Sequence, residues 1–291
     1  MNFYLAAILQ ALCLAPMGLG IYITMKIFNF PDITTDGSYT LGAVVCALCL
    51  SRGMSPWLAV PFTLLSGALA GILTALIHTK LRVNALLSGI LVMTALYSIN
   101  LTLLGRSNIP LLGYSTIFNI GLFSNGDFNV ALVSVLTVLL FLFFIYYLLR
   151  TDFGLAMRAT GNNELMIRSL GVNTSTIKII GLAITNGLVA LSGAMTAQFQ
   201  GFTDISMGIG IVINGLGSVM IAETLIRLSK MEHTGIHLLF VVLGILVFQL
   251  VLAFTLNIGV DATLLKLLTS CFVLLIVALP QQKLIKSFKR Y

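Results

Sequence analysis

The sequence predicts an all-α polytopic membrane protein with about nine transmembrane helices (eight to ten), at least one of them discontinuous. Three observations carry that expectation. Of the 291 residues, 58% are hydrophobic and 9% charged, against about 25% charged in a soluble domain. Apolar runs of about 20 residues, the length that crosses a bilayer as a helix, recur along the chain. Basic residues gather in alternate segments between those runs, as they do in cytoplasmic loops. So few charges cannot cover a soluble globule of this size. That excludes a cytosolic enzyme, a secreted disulfide scaffold and a disordered chain. Residues 1–291 read as one transmembrane domain.

The runs follow in order. Phe3–Met25 is the first. No Lys or Arg precedes it and no small-residue cleavage site follows, so it reads as a span and not as a cleaved signal peptide. Tyr39–Leu50 is too short to cross alone. It must borrow from Asp32–Ser38 or be half of a broken helix. Leu58–Ile77, Asn84–Leu104 and Asn129–Leu149 are full-length runs. Ser115–Leu122, moderately apolar, is a candidate tenth half-span. Ile177–Phe199, Met207–Leu225, Gly235–Phe254 and Ala262–Leu279 complete the nine. Cys13, Cys46, Cys49 and Cys271 all lie in apolar stretches. Cys46 and Cys49 have redox-motif spacing but lack polar flanks that would activate a thiolate, so all four read as buried and inert.

The charges set an orientation. With the N-terminus outside, Lys26, Lys80, Arg82, Arg150, Arg158, Arg168, Lys178, Arg227, Lys230, Lys283, Lys286, Lys289 and Arg290 fall inside. Those are 13 of the 16 basic residues. The opposite orientation would put them all outside, against the positive-inside bias. The basic tail, 281–291, then reads as a cytoplasmic topology anchor against membrane lipid. The net charge of +7 follows from these loops and calls for no nucleic acid.

Polar residues inside a bilayer cost several kcal/mol unless paired or hydrated, so they carry the information. Asn29–Ser38 contains Pro31, Asp32, Thr34, Thr35, Asp36, Gly37 and Ser38. Such a segment lines a wet cavity, is buried in protein, or is a plain turn with Asp36 or Ser38 as helix cap. Gly208, Gly210, Asn214, Gly215, Gly217 and Ser218 form a second polar, glycine-rich stretch. It suits either close helix packing or a discontinuous helix at a transport site. Phe30–Ile33 (FPDI) and Phe202–Ile205 (FTDI) echo each other ahead of these two spans. The first lies inside and the second outside, as an inverted repeat would place them. Glu223 reads as hydrated at the inner mouth.

The long cytoplasmic segment 150–176 holds a short helix over Asn162–Leu170. Asn162 can cap it, Glu164 suits its first turn and Gly171 can close it in the left-handed conformation. Leu165, Met166 and Leu170 give it an apolar side. So short a helix needs an external surface to hold it. No phosphate-binding loop of the G-x-x-x-x-G-K-[ST] type occurs in the chain. His233 and His237 have i, i+4 spacing but no acidic residue between them, and no Ser/His/Asp set is apparent. No metal site and no catalytic residue is therefore expected.

The long segment carries a resemblance. Gly154, Arg158 and Ala159, then Asn162 or Asn163, then Gly171 and Asn173, resemble a pattern in permeases of ATP-binding-cassette (ABC) importers of the branched-chain amino acid and ribose type. Asn29-Phe30, Ser192-Gly193-Ala194 and Asn214-Gly215-Leu216-Gly217-Ser218 are similar as well. Pro31–Ser38 looks like a subgroup that pairs with aromatic or other amino acid binding proteins. The chain departs from the pattern where Asn214 replaces a Gly, and at Val219–Glu223, which lacks the usual Gly and Pro. The resemblance implies a type II-like importer permease in a bacterial cell membrane. It implies cytoplasmic ABC ATPase subunits, an extracellular substrate-binding lipoprotein and a second permease subunit, expected to be an identical copy. ATP and magnesium would sit on the ATPase, with no cofactor in this chain. Gly154, Arg158, Ala159, Asn162, Glu164, Leu165, Met166, Arg168, Leu170, Gly171 and Asn173 would form the coupling loop. Asp32, Thr34, Asp36, Ser38, Asn214, Gly215, Gly217 and Ser218 are the candidate translocation path, and the cargo a small solute, most simply an amino acid. Two other classes stand beside this: an ion-coupled secondary transporter using Asp32 and Asp36, and a channel-like pore. Only the importer requires the short loop helix.

Overall fold

The computed structural model describes residues 3–119, 126–229, 233–259, 264–265 and 267–276. Helix α1 (Phe3–Tyr22) runs into one π-helical turn, Ile23–Ile27. Then come α2 (Thr34–Ser51), α3 (Pro56–Lys80), α4 (Ala85–Leu104), strand β1 (Asn108–Pro110) and α5 (Gly126–Arg150). Two short helices follow, α6 (Asp152–Asn162) and α7 (Glu164–Ser169). The remainder is α8 (Thr174–Gln200), β2 (Phe202–Asp204), α9 (Ile211–Ser229), α10 (Thr234–Asn257) and an apolar helix α11, Leu267–Ile276. Each of the nine apolar runs read from the sequence coincides with a helix. Seven, among the described residues, are long and apolar enough to cross a membrane. The other two are α2, whose polar first turn dilutes its hydropathy, and α11, of which Leu267–Ile276 is described.

Helix α8 is the axis of the bundle. Of its most apolar window 78% is buried, and of α1's 72%, against 28–39% for the other spans. Missing side chains let α2 and α3 come that close. A Cβ on Gly42 would sit 1.9 Å from the Ala190 carbonyl oxygen, and one on Gly193 would sit 2.0 Å from that of Tyr39. On α3, Gly67 and Gly71 meet the Asn186 and Leu182 carbonyls at 2.3 and 2.1 Å. Backbone contact of this kind, and not apolar burial alone, holds helices together where lipid competes for every apolar side chain. Hydroxyls in the spans bond back to carbonyls three or four residues earlier, as in Thr63 to Val60 and Thr74 to Ala70. That satisfies them without a cavity.

Of the four cysteines expected to be buried, Cys13 and Cys46 are, whereas Cys49 is half-buried and Cys271 exposed. The structure decides between the open readings. Of the two for the second span, borrowing from Asp32–Ser38 holds and the half-helix does not: α2 is one helix that starts at Thr34, five residues before the apolar run. Asp32 Oδ1 accepts the Thr34 N–H at 2.9 Å and Asp36 stands in the positive first turn, so the polar residues start the helix and do not interrupt it. The irregular stretch is Phe28–Ile33 alone, entered through the π turn. In the second polar stretch Gly208 and Gly210 lie in turns, and α9 is regular from Ile211 onward. Finally, Ser115–Asn119 form turns and no half-span. The rest of that candidate, 120–122, and the basic tail 281–291 lie outside the described residues.

At one end of the bundle β1 pairs antiparallel with β2, Ile109 opposite Thr203, and closes the ends of α4 and α8. The helices α6 and α7 lie at the other end, where α8 begins.

Candidate functional site

Two places carry the sequence candidates, one at the start of α8 and one beside its middle. The first is the segment from α6 to the start of α8. Gly154 sits where α6 folds back on α5; a Cβ there would lie 2.3 Å from the Leu148 carbonyl oxygen. Arg158 Nη2 donates to the Leu149 carbonyl at 2.7 Å, satisfying an end group of α5. Ala159 is half-buried. Thus the Gly154–Arg158 pair builds a rigid corner. Asn162 ends α6 and is exposed. The cap of α7 is its neighbour Asn163, whose Oδ1 accepts the Met166 N–H at 3.1 Å; the expected cap was one residue early because α6 occupies Asn162. Gly171 has φ +82°, left-handed as expected. Asn173 caps α8 through the Thr176 N–H.

Helix α7 is braced from beneath and bare on top. Ile167 is buried, whereas Leu165 is 80% exposed, Met166 59% and Leu170 67%. Glu164 is the brace. Its Oε1 accepts from Arg168 Nη2 at 2.7 Å and Thr174 Oγ1 at 3.1 Å, and its Oε2 from Lys178 Nζ at 2.7 Å. Partial burial pushes the Glu164 pKa up, but the Lys178 hydrogen bond and charge, with Thr174 and Arg168, outweigh it and hold the carboxyl below its ordinary value. Glu223 is also paired, with Lys26 Nζ at 2.7 Å, joining the ends of α1 and α9.

The second place is the meeting of the two polar stretches. Asp32 is buried; its Oδ2 accepts from Asn186 Nδ2 at 2.8 Å near the middle of α8. Ser38 Oγ donates to Asn186 Oδ1 at 2.7 Å. Thr34 and Thr74 share a hydroxyl contact of 2.8 Å. Asp36 reaches α9: its two oxygens accept the N–H groups of Gly210 and Val212, each at 2.9 Å. Asp32, Thr34, Asp36 and Ser38 therefore meet helix partners, none on the wall of the cavity described next. Asn186 was not singled out from the sequence, although a lone amide in the middle of an apolar run was a legible signal.

Beside this joint lies a cavity of about 530 Å³ between α1, α8, α9 and α10, at the β1–β2 end. Asn214 lines it with Gln10, Gln249, Gln200, Tyr39 and Thr196. Of the glycine-rich stretch, Asn214 alone is on its wall. Gly215 packs on Ile21, Gly217 on Phe248, and Ser218 is buried with its hydroxyl donating to the Asn214 carbonyl. Asp204, on the rim, accepts from Ser206 through both hydroxyl and backbone N–H, which holds its pKa below the ordinary value despite some burial. The echo between FPDI and FTDI has a geometric counterpart. Asp32 and Asp204 each accept the N–H two residues on, just ahead of α2 and α9.

Comparison with known proteins bears on the chain as a whole. A family model described as the permease component of branched-chain amino acid transport systems matches residues 3–279. The tyrosine transport system permease protein of Clostridioides difficile (strain R20291) is 41% identical over 279 residues, covering 96% of this chain and 91% of that one. Among solved structures, a metal-chelate type ABC transporter in an inward-facing conformation has a similar fold. The TM-score is 0.53 at 19% identity, over 96% of this chain and 87% of that one. PsaBC from Streptococcus pneumoniae, solved with a Fab, gives 0.52 at 14% identity, over 95% and 91%.

Proposed function

The chain belongs to the branched-chain amino acid transport permease family, and from that premise we propose that it moves an amino acid, an aromatic one first among candidates, past Asn214. It is the multi-pass permease subunit of an ABC importer and works with ATPase and permease partners. The finer reading is as follows. Two copies of this chain form the membrane core, with N-termini outside and C-termini in the cytoplasm. An external lipoprotein delivers the solute at the β1–β2 end. The ATPase holds ATP and magnesium and seats α7, with Leu165, Met166 and Leu170 as its apolar contacts.

The observation that carries the substrate reading is the cavity beside Asn214. The amides of Gln10, Asn214 and Gln249 both donate and accept, so they can meet the ammonium and carboxylate of a zwitterion, while Asp204, the carboxylate among the lining residues, stays on the rim engaged by Ser206. Such weak contacts suit a passage whose affinity resides in a separate binding protein. The relative named for tyrosine transport supports an aromatic cargo. Asp32, Thr34, Asp36, Ser38, Gly215, Gly217 and Ser218 serve as the frame of the path.

Reconstitution in proteoliposomes with the ATPase and binding protein tests this. Labelled tyrosine should accumulate only with ATP and the binding protein present. Uptake driven by a Na⁺ or H⁺ gradient without ATP would favour the ion-coupled transporter and overturn the proposal.

A further inference from the structure

The α7 segment and the cavity are about one helix apart, since the 27 residues of α8 span about 40 Å. A continuous set of contacts joins them. From α7, Glu164 holds Lys178, whose side chain is 13% exposed and whose ammonium also lies 3.3 Å from His78 Nε2 at the end of α3. The other ring nitrogen, Nδ1, is 2.8 Å from the Val83 carbonyl. A carbonyl only accepts, so Nδ1 carries the hydrogen and Nε2 of the neutral ring accepts from Lys178. The ring of His78 meets that of Phe30 edge-on, with centroids 5.1 Å apart. Phe30 belongs to the one irregular stretch between α1 and α2. Two residues on, Asp32 grips Asn186, and Asn186 grips Ser38. In the same first turn of α2, Asp36 holds the N-terminus of α9, and α9 carries Asn214.

We propose that His78 is a positioning residue of the transport cycle, passing movement of α7 through Phe30 to the α2–α9 joint and so to the cavity wall. Its placement argues for this. A plain helix end would be satisfied by the bond to Val83 alone. Here the same ring also faces the charged brace of α7 on one side and the only non-helical stretch between α1 and α2 on the other. Phe28–Ile33 lies outside regular helix, tied to the π turn only by the Phe28 and Phe30 N–H bonds to the Ile23 and Thr24 carbonyls, so it can shift without breaking an α-helix. The rigid pieces on either side, α3 and α2, then move as units.

This inference rests on α7 being the seat of the ATPase, and the experiment separates the two. The assembled importer is reconstituted with His78→Ala, Phe30→Leu, the double variant and, separately, Leu165→Asp. Solute moved per ATP hydrolysed is measured, along with ATPase retention on purification and thermal stability. The seat reading requires Leu165→Asp to lose the ATPase. If that variant keeps the ATPase and transports normally, the seat reading fails whatever His78 does. The relay predicts that His78→Ala keeps the ATPase and its basal hydrolysis. Solute per ATP should fall about fivefold or more, the scale of an ordinary coupling energy. The double variant should lose no more than the worse single one, because both residues stand on one route. Unchanged solute per ATP in His78→Ala, or a full multiplication of the two losses, overturns the relay. So does a loss confined to variants with lowered thermal stability.

Discussion

The Asp36 carboxylate on α2 accepts the backbone N–H of Val212, 2.9 Å away at the start of α9. With the Gly210 N–H on its other oxygen, the carboxylate satisfies end groups of α9 that its own helix cannot, and it places a negative charge at a positive helix end. Asp36→Ala removes both bonds from a largely buried site. Stability should fall by about 2–4 kcal/mol, the range for hydrogen bonds to a buried charge. Thermal unfolding of the purified subunit in detergent measures this. The preference between tyrosine and other amino acids in transport should stay as in the parent, because Asp36 is off the cavity wall. A variant of full stability with altered preference would contradict that placement.

Orientation is accessible to labelling. The basic ends of the spans, including Lys26, Lys80, Arg158 and Lys178, gather with α7. On the positive-inside rule that end faces the cytoplasm. A cysteine replacing Leu165, which is 80% exposed, should resist a membrane-impermeant thiol reagent in intact cells and react in inverted vesicles. Labelling in intact cells would reverse the proposed orientation.

The proposed seat of the ATPase has an acid limit. Partial burial acts to raise the Glu164 pKa, but Lys178, Thr174 and Arg168 together bring it below the ordinary value. A depressed carboxylate contributes stability that is complete above its unfolded pKa and lost as pH falls through the folded one. The brace under α7 should thus be intact at neutral pH and loosen only in acid, below the ordinary Glu range. Hydrogen exchange at the amides of α7 reads this out, and Glu164→Gln should exchange fast at every pH. Leu165→Asp is expected to weaken ATPase affinity by about 2 kcal/mol, roughly 30-fold, as for a central apolar contact.

What was legible in the sequence follows from which forces are local. Span positions were readable, because about 20 apolar residues per crossing is a composition rule that needs no partner. Gly171 was readable because a left-handed closure needs a glycine within one turn. The cap of α7 was missed by one residue because α6, a second helix packed against α5 through Gly154, claimed Asn162. The start of α2 stayed open between two readings for a deeper reason. Asp32 and Asp36 look costly in a bilayer until their partners are known, and those partners, Asn186 and the N–H groups of Gly210 and Val212, lie over 150 residues away. Likewise, Asn214 and Ser218 sit one turn apart in the same motif, and only tertiary packing sends one to a cavity and the other into a helix contact.

That difference supports the most direct test of the path. Asn214 is half-buried on the cavity wall, and replacing it by Leu removes an amide while keeping the branched side-chain shape. Transport should fall about tenfold, the scale of one net hydrogen bond to the solute. Assembly, basal ATP hydrolysis and thermal stability should stay close to the parent. Ser218→Leu should behave in the opposite way. Ser218 is buried against α10, where a Cβ on Gly244 would lie 2.3 Å from the Ser218 carbonyl oxygen. A larger side chain there overpacks the α9–α10 contact and should cost about 1–3 kcal/mol, seen as lower yield and lower unfolding temperature. The molecules that do fold should carry solute at a nearly normal rate per assembled complex. Equal losses of stability in both variants would place Asn214 in the frame with Ser218 and leave the cavity without its central polar contact.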